Sequence, residues 1–376
     1  MLTESEPHYR QPLLKTPFHE RARALSQLDS FVPWSGYTTV DVFTSVEQEY
    51  FAIRNASSLY DLTPMLKYRI AGADALRFLN RLTTRDLSKL APGRVAYTVW
   101  CNDEGRLIDD GTVFCLAPND YRLCTAEHQL DWLRASAIGF DVEIRDVTEE
   151  IAALAVQGPT SCKLLKLAGV PGVERLKPFE HGMFSMARGA AAPVALMEVG
   201  RTRGVRAIGS RALNIARIEA GFLLPRVDFV SAAHTLYLGT ERSPLELGLA
   251  WLVDFAKGHF TGRRALLAES ARGPRRALVG LDVAGNKPAH NALLYSARSG
   301  RREAGSVTSA TWSPTCKRNL ALAIVEAAHS AIGSTLWADV YLNRELVWER
   351  RMVAAQVVER PFFAPARRRA TPPADF

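Results

Sequence analysis

Hydrophobic positions recur along this chain at two periods, about 3.6 and 2, and the switches between them mark its elements. Val46, Tyr50 and Ile53 share one face of a helix predicted over 45–54, with Ser45 as N-cap and Glu47 and Glu49 near its positive end. A second amphipathic helix is expected over 74–81, ended by the Thr83-Thr84-Arg85-Asp86 turn. Strands are read over 59–70, 121–126, 141–145 and 151–157, and helices over 129–137 and 161–168, the last with Pro159 near its start. Residues 245–255 form an apolar helix or strand centred on Trp251. After a linker at 272–276, short β segments follow at 278–283, 292–296, 304–309, 320–325, 335–342 and 347–357. Gly, Asn and Pro separate them, which predicts a small barrel or sandwich.

The most informative pattern is Tyr97-Thr-Val-Trp-Cys-Asn-Asp-Glu-Gly-Arg-Leu-Ile-Asp-Asp110. It reads as a strand from Val95 to Cys101, a turn at Asn102-Asp-Glu-Gly105, and a second strand reaching Leu116. Successive strand side chains point to opposite faces, so only one of Asp109 and Asp110 faces a given side. One carboxylate is therefore expected to point inward and the other outward.

Length and composition change this picture little. At 376 residues the chain is longer than one hydrophobic core usually serves, so two or three domains are expected. With 47% hydrophobic and 23% charged residues it is an ordinary globular protein. No apolar run is long enough to span a bilayer and the first residues lack the layout of a signal peptide, so a soluble cytoplasmic protein is expected, away from membranes. The five cysteines, Cys101, Cys115, Cys124, Cys162 and Cys316, have no C-x-x-C spacing and read as reduced core thiols. The histidines do not pair at helical metal-ligand spacing, and no metal site is indicated. The net charge of +8 comes from arginines spread along the chain, apart from Arg367-Arg-Arg369, so nucleic acid is not the expected partner. A basic cleft suits a polyanionic small molecule. There is no G-x-G-x-x-G and no Walker sequence, which disfavours dinucleotide and triphosphate cofactors.

The hairpin and Leu59-Tyr-Asp-Leu-Thr-Pro-Met65 upstream resemble the family of the glycine-cleavage T-protein, the tetrahydrofolate-dependent aminomethyltransferases and their demethylase relatives. Ala155-Val-Gln-Gly-Pro159, Arg217-Ile-Glu-Ala-Gly221, Phe260-Thr-Gly-Arg263 and Gly305-Ser-Val-Thr-Ser309 follow in the family's order. The resemblance implies an α+β, three-domain cloverleaf, with two sheet-and-helix domains and a C-terminal β-barrel domain around a central cavity. Its expected divisions are an extension over 1–28, a folate-binding region of two interleaved α+β domains over 29–271, a barrel over 277–360 and a basic Pro/Ala-rich tail over 361–376.

Matched position by position, the resemblance puts the catalytic carboxylate at Asp110, with Asp109 the milder of the pair. It places Met65 and Tyr97 by the pterin ring, and Cys124 and Trp251 among the residues that bind the folate. Core filling is the other reading of Met65, and ordinary packing that of Trp251. Arg217 is expected to meet folate or the surroundings of Glu219, and Asp61 to close an Asx turn. Trp34 and Tyr37 are candidates for caging a cationic donor, with ordinary packing the other reading.

Several features depart from the family pattern. Thr63-Pro64 stands in place of Ser-His, the G-Y-T-G-E segment is missing between Arg203 and Ala212, and Ala126 replaces an asparagine. Glu198 is the one candidate to stand in for the lost glutamate. His259 stands where folate-binding accessory relatives carry a cysteine. These departures shift the expectation to a demethylase-like enzyme that moves a methyl or aminomethyl group from a small N-, O- or S-methylated donor to tetrahydrofolate. The alternatives are a glycine-cleavage aminomethyltransferase served by a lipoyl carrier protein, and a non-catalytic folate-binding accessory protein.

Overall fold

The computed structural model describes residues 13–186, 192–235 and 239–373. In chain order it builds β1 (Leu14–Lys15), α1 (His19–Leu25), β2 (Ser30–Trp34), β3 (Tyr37–Val42), α2 (Val46–Asn55), β4 (Ser58–Asp61), β5 (Leu66–Ala71) and α3 (Ala75–Leu82). Next come β6 (Val95–Cys101), β7 (Leu107–Ala117), β8 (Asp120–Thr125), α4 (Leu130–Ser136), β9 (Glu143–Asp146), β10 (Leu154–Gln157) and α5 (Ser161–Leu167). Then follow α6 (Ala192–Gly200), β11 (Arg206–Ala207), α7 (Ser210–Glu219) and α8 (Arg263–Arg272). The last six strands are β12 (Arg276–Val283), β13 (Leu293–Tyr295), β14 (Glu303–Ser313), β15 (Arg318–Glu326), β16 (Thr335–Arg344) and β17 (Val347–Val358).

These strands form a five-stranded sheet ordered β6-β7-β8-β5-β9, two three-stranded sheets ordered β10-β4-β11 and β1-β3-β2, and a closed barrel β12-β15-β14-β13-β16-β17. The mixed α+β architecture with a C-terminal barrel is the one expected. The span 59–70 is not one strand. Asp61 Oδ1 accepts the Thr63 amide (2.9 Å) in the expected Asx turn, and the chain leaves one sheet at Asp61 to enter another at Leu66. The span 245–255 is likewise two 3-10 turns, Ala250–Leu252 and Phe255–Lys257, divided at Val253 by extended backbone. The chain from Leu14 to Leu25 is tied to the fold: β1 pairs parallel with β3, and His19 is buried against Phe31. Residues 1–12 of the expected extension lie outside the described residues.

The five-stranded sheet positions the site. One face, with Tyr68, Ile70, Trp100, Val113 and Leu123, is sealed by α3 and α4. The other meets the barrel's outer surface, where Leu278, Leu322 and Ile324 pack with Val99, Leu107, Leu252 and Phe260. The β6–β7 turn is closed by the Asn102 side chain accepting the Arg106 amide (2.8 Å) and by Gly105 at φ +71°, where a Cβ would come within 3.0 Å of Leu266. This turn fixes the register that pairs Val99 with Asp110 and Tyr97 with Thr112.

Candidate active site

Alternation along β7 separates the two aspartates by face, as strand geometry requires. Asp110 shares its side with Thr112 and Phe114 and is partly open, while Asp109 shares the sealed side with Gly111 and Val113. Gly111 is needed there, because a Cβ would lie 2.5 Å from the Cys124 carbonyl oxygen.

Tyr97 on β6 donates its hydroxyl to Asp110 Oδ2 at 2.7 Å. Burial pushes the Tyr97 phenol far above its ordinary range and the charge of Asp110 adds to this, so the proton stays on the tyrosine. Burial also raises the pKa of Asp110, against the lowering effect of the Tyr97 bond. No other side chain hydrogen-bonds to Asp110 among the described residues. The carboxylate therefore keeps accepting capacity on a face open to a ligand.

Trp251 lies over Tyr97 with ring centroids 6.2 Å apart, and it is 65% exposed. Ordinary core packing is thereby ruled out. Its 3-10 turn is held by the Thr84 hydroxyl donating to the Leu252 carbonyl at 2.9 Å, and Arg85 donates to the Tyr97 carbonyl at 3.0 Å. Tyr97, Asp110 and Trp251 thus form one cluster from segments far apart in sequence. Cys124 pairs with Thr112 and so points to the same face, its thiol pushed up to about 11 by burial, which leaves it un-ionised near neutrality.

Met65 is partly buried at the entry to β5, where its carbonyl accepts the Lys67 ammonium at 2.7 Å. Lys67 is a residue that pattern reading misses. It is buried opposite Cys124, also donates to the Thr63 carbonyl (2.9 Å), and has its pKa lowered chiefly by desolvation.

Several expectations need correction. Asp109 does not face outward: it is fully buried, accepting from Thr125 Oγ1, from Gln129 Nε2 (3.0 Å) and from the Asp110 amide (2.8 Å). Desolvation first, and then the charge of Asp110, push its pKa up to about 8. A strand pattern tells which side a residue takes, not what covers that side, and here α3 and α4 cover it.

Arg217 meets neither Glu219 nor the Asp110 cluster. It pairs with Asp228 (2.5 Å) and donates to Ser309 (2.8 Å), Asn214 (2.8 Å) and the Phe222 carbonyl (3.2 Å), so its guanidinium is used up joining α7 to the barrel. Glu219 is instead fully buried with Arg54, Tyr50 and Ser313. Neither cage candidate stands free: Trp34 stacks on Tyr60 and Tyr37 is buried in β3. Glu198 is exposed on α6, and that helix packs through Leu196 against Leu59 and Leu164.

No helix among the described residues is long and apolar enough to cross a membrane. Residues 19–177 match the family described as GCVT N-terminal domain, and residues 276–364 match the glycine cleavage T-protein C-terminal barrel domain. An aminomethyltransferase of Caldanaerobacter subterraneus subsp. tengcongensis is 30% identical over 388 residues, covering 93% of this chain and 96% of the relative. The Bacillus subtilis aminomethyltransferase is 29% identical over 363 residues, covering 88% and 94% respectively. In fold, the chain is similar to the crystal structure of glycine cleavage system aminomethyltransferase T from Bartonella henselae, with a TM-score of 0.81 at 23% identity over 93% of this chain and 98% of that one. With both family domains in order on a three-part fold, the chain belongs to the glycine cleavage T-protein family.

Proposed function

We propose that this chain is an aminomethyltransferase that passes a one-carbon unit to tetrahydrofolate at Asp110. The observation that carries the reading is a partly open carboxylate, oriented by Tyr97, beside an exposed tryptophan. Such a site fits a flat ring with N–H donors: the indole offers an apolar surface and Asp110 an acceptor. Tetrahydrofolate would supply the nitrogen that accepts the carbon unit. Tyr97 fixes one oxygen of Asp110, so the other is held toward the ligand in a defined orientation. Asp110 would accept the hydrogen bond of a ring N–H and balance positive charge as it develops there. Its raised pKa equips it to take up the released proton.

The curated relatives favour an aminomethyl donor over the methylated small molecule expected from Thr63-Pro64 and the missing segment. Under this reading the donor is presented by a lipoyl carrier protein. The test is a panel of donors assayed with tetrahydrofolate: an aminomethylated lipoyl carrier protein, methylated amines, sulfonium compounds and methyl ethers. The expected result is turnover of the carrier-bound donor. Turnover confined to a free methylated metabolite would replace this reading by the demethylase-like one, and turnover of none would remove both.

A further inference from the structure

The turn that carries Trp251 is followed by the Phe255–Lys257 turn, which ends on a lysine whose side chain leaves its own segment. The Lys257 ammonium donates to the carbonyls of Thr83 and Arg85, each at 2.6 Å. Thr83 is the C-cap of α3, so the cation sits at the negative end of that helix and satisfies a carbonyl the helix leaves open.

Lys257 forms no ion pair with a carboxylate among the described residues. Of the two acids nearest in charge, Asp254 accepts the Ala256 amide (2.9 Å) and Asp86 the Ser88 amide (2.9 Å), so each is committed to its own turn. Desolvation lowers the lysine's pKa to about 8, against the pull of those two acids, and leaves it charged at neutral pH. The ammonium also lies 5.4 Å from the ring centre of Phe260, a buried residue of the core between sheet and barrel. A partly buried cation gripping two backbone carbonyls fixes their orientation.

The turn it fixes registers both aromatic rings of the site. Between the two gripped carbonyls lies Thr84, whose hydroxyl donates to the Leu252 carbonyl and whose own carbonyl accepts the Asp254 amide (3.0 Å). Arg85, the second gripped residue, donates to the Tyr97 carbonyl. One turn thus holds the tryptophan segment and the tyrosine strand together.

We propose that Lys257 is a positioning residue: by locking the 83–85 turn it holds Trp251 against Tyr97 and sets the aromatic surface beside Asp110. The inference rests on the reading of the Asp110 site given above, in which Trp251 meets the ring of tetrahydrofolate. The contribution of Lys257 to affinity therefore passes through Trp251 and vanishes when that ring is removed.

The test is a double-mutant cycle, read as equilibrium binding of tetrahydrofolate to the full chain in wild type, Lys257→Met, Trp251→Ala and the double variant. Lys257→Met keeps an unbranched side chain against Phe260 while removing the charge and the donors. It should weaken binding about fivefold, and Trp251→Ala about tenfold. In the Trp251→Ala background, Lys257→Met should change affinity by less than about twofold. Lys257→Arg, which keeps a cation with several donors, should recover part of the affinity. A merely structural lysine would lower the unfolding midpoint and leave affinity alone, or would weaken binding by the same factor in both backgrounds. Either result overturns the proposal, as does binding indifferent to Trp251→Ala. Should Lys257→Met fail to unfold cooperatively, Lys257→Gln takes its place in the cycle and the same outcomes decide. Wild type binding no tetrahydrofolate removes the reading of Asp110 and this proposal together. Wild type binding it, with Trp251→Ala weakened and Lys257→Met unchanged, removes this proposal alone.

Discussion

Asp110 and Glu219 are both acidic side chains drawn into the protein, and the chain treats them in opposite ways. Glu219 is fully buried, accepts from Tyr50, Arg54 and Ser313, and through its carbonyl receives the Phe363 amide (3.0 Å). It ties α2, α7, β14 and the C-terminal segment at one point. Among the described residues Asp110 has one side-chain partner, the Tyr97 hydroxyl, and it faces a partly open surface beside the Tyr97–Trp251 pair. A carboxylate whose lone pairs are all taken can hold elements together but has nothing to offer a ligand. A carboxylate left short of partners costs stability and is ready to bind. The same contrast separates Arg217, fully engaged with Asp228 and Ser309, from Arg122 on β8, whose buried Nε has no acceptor among the described residues.

This comparison can be broken most forcefully at Asp110. Asp110→Asn should lower turnover by a factor on the order of 10²–10⁴ and leave the unfolding midpoint within about a degree or two of wild type, or slightly above it. Retained turnover would place the chemistry elsewhere. Glu219→Gln should do the reverse: it leaves Arg54 without its charge partner at a buried joint, which costs about 3–5 kcal/mol in denaturant unfolding. A loss below about 1 kcal/mol, the usual size for an exposed pair, would show that the joint is not held by charge.

Asp109 lies between these extremes, and its signature is a pH dependence. Its folded pKa of about 8 stands above the ordinary carboxylate value of 3.8, so the folded state binds more protons than the unfolded state in that window. Wild-type stability should therefore fall as pH rises from about 4 to about 8, through this group. Asp109→Asn should flatten that slope, being most harmful relative to wild type at low pH and least near pH 8. Thermal unfolding of both proteins across pH 5–8 decides it, and parallel curves would contradict the burial assigned to Asp109. The smallest effect belongs to Trp251→Ala. An exposed ring contributes little to the core, so the fold should hold while the KM for tetrahydrofolate rises about tenfold, from the loss of aromatic contact area. An unchanged KM would mark the ring as a bystander.

The β6–β7 hairpin was legible because alternation, turn chemistry and strand length agree from Val95 to Ala117. The barrel strands were found for the same reason, each within a few residues of its end except β14, which runs on to Ser313. The run 59–70 reads as one strand because β-favouring residues stand at both ends, Leu59-Tyr60 and Leu66 to Ile70, although Asp61 and Pro64 between them disfavour it. Only the Asp61–Thr63 turn, which sends the chain into a second sheet, divides it. Tyr97, Asp110 and Cys124 share a face through strand register, which sequence supplies. Trp251 comes from a turn more than a hundred residues on, and its exposure depends on packing that no local pattern encodes. The partners of Arg217 and Glu219 were missed for a related reason: ion pairs form between elements whose docking is set by the apolar faces around them, and adjacency in the R-x-E-A-G segment says nothing of which acid an arginine meets.

The central claim, that Asp110 is short of partners because it is offered to folate, is tested most directly by titrating tetrahydrofolate into wild type and Asp110→Asn under identical conditions. The account predicts saturable binding to wild type that raises its unfolding midpoint, and affinity about tenfold or more weaker in the variant, the loss expected for a charge-assisted hydrogen bond. Equal affinity in the two proteins, or no binding to wild type at saturating ligand, would contradict it.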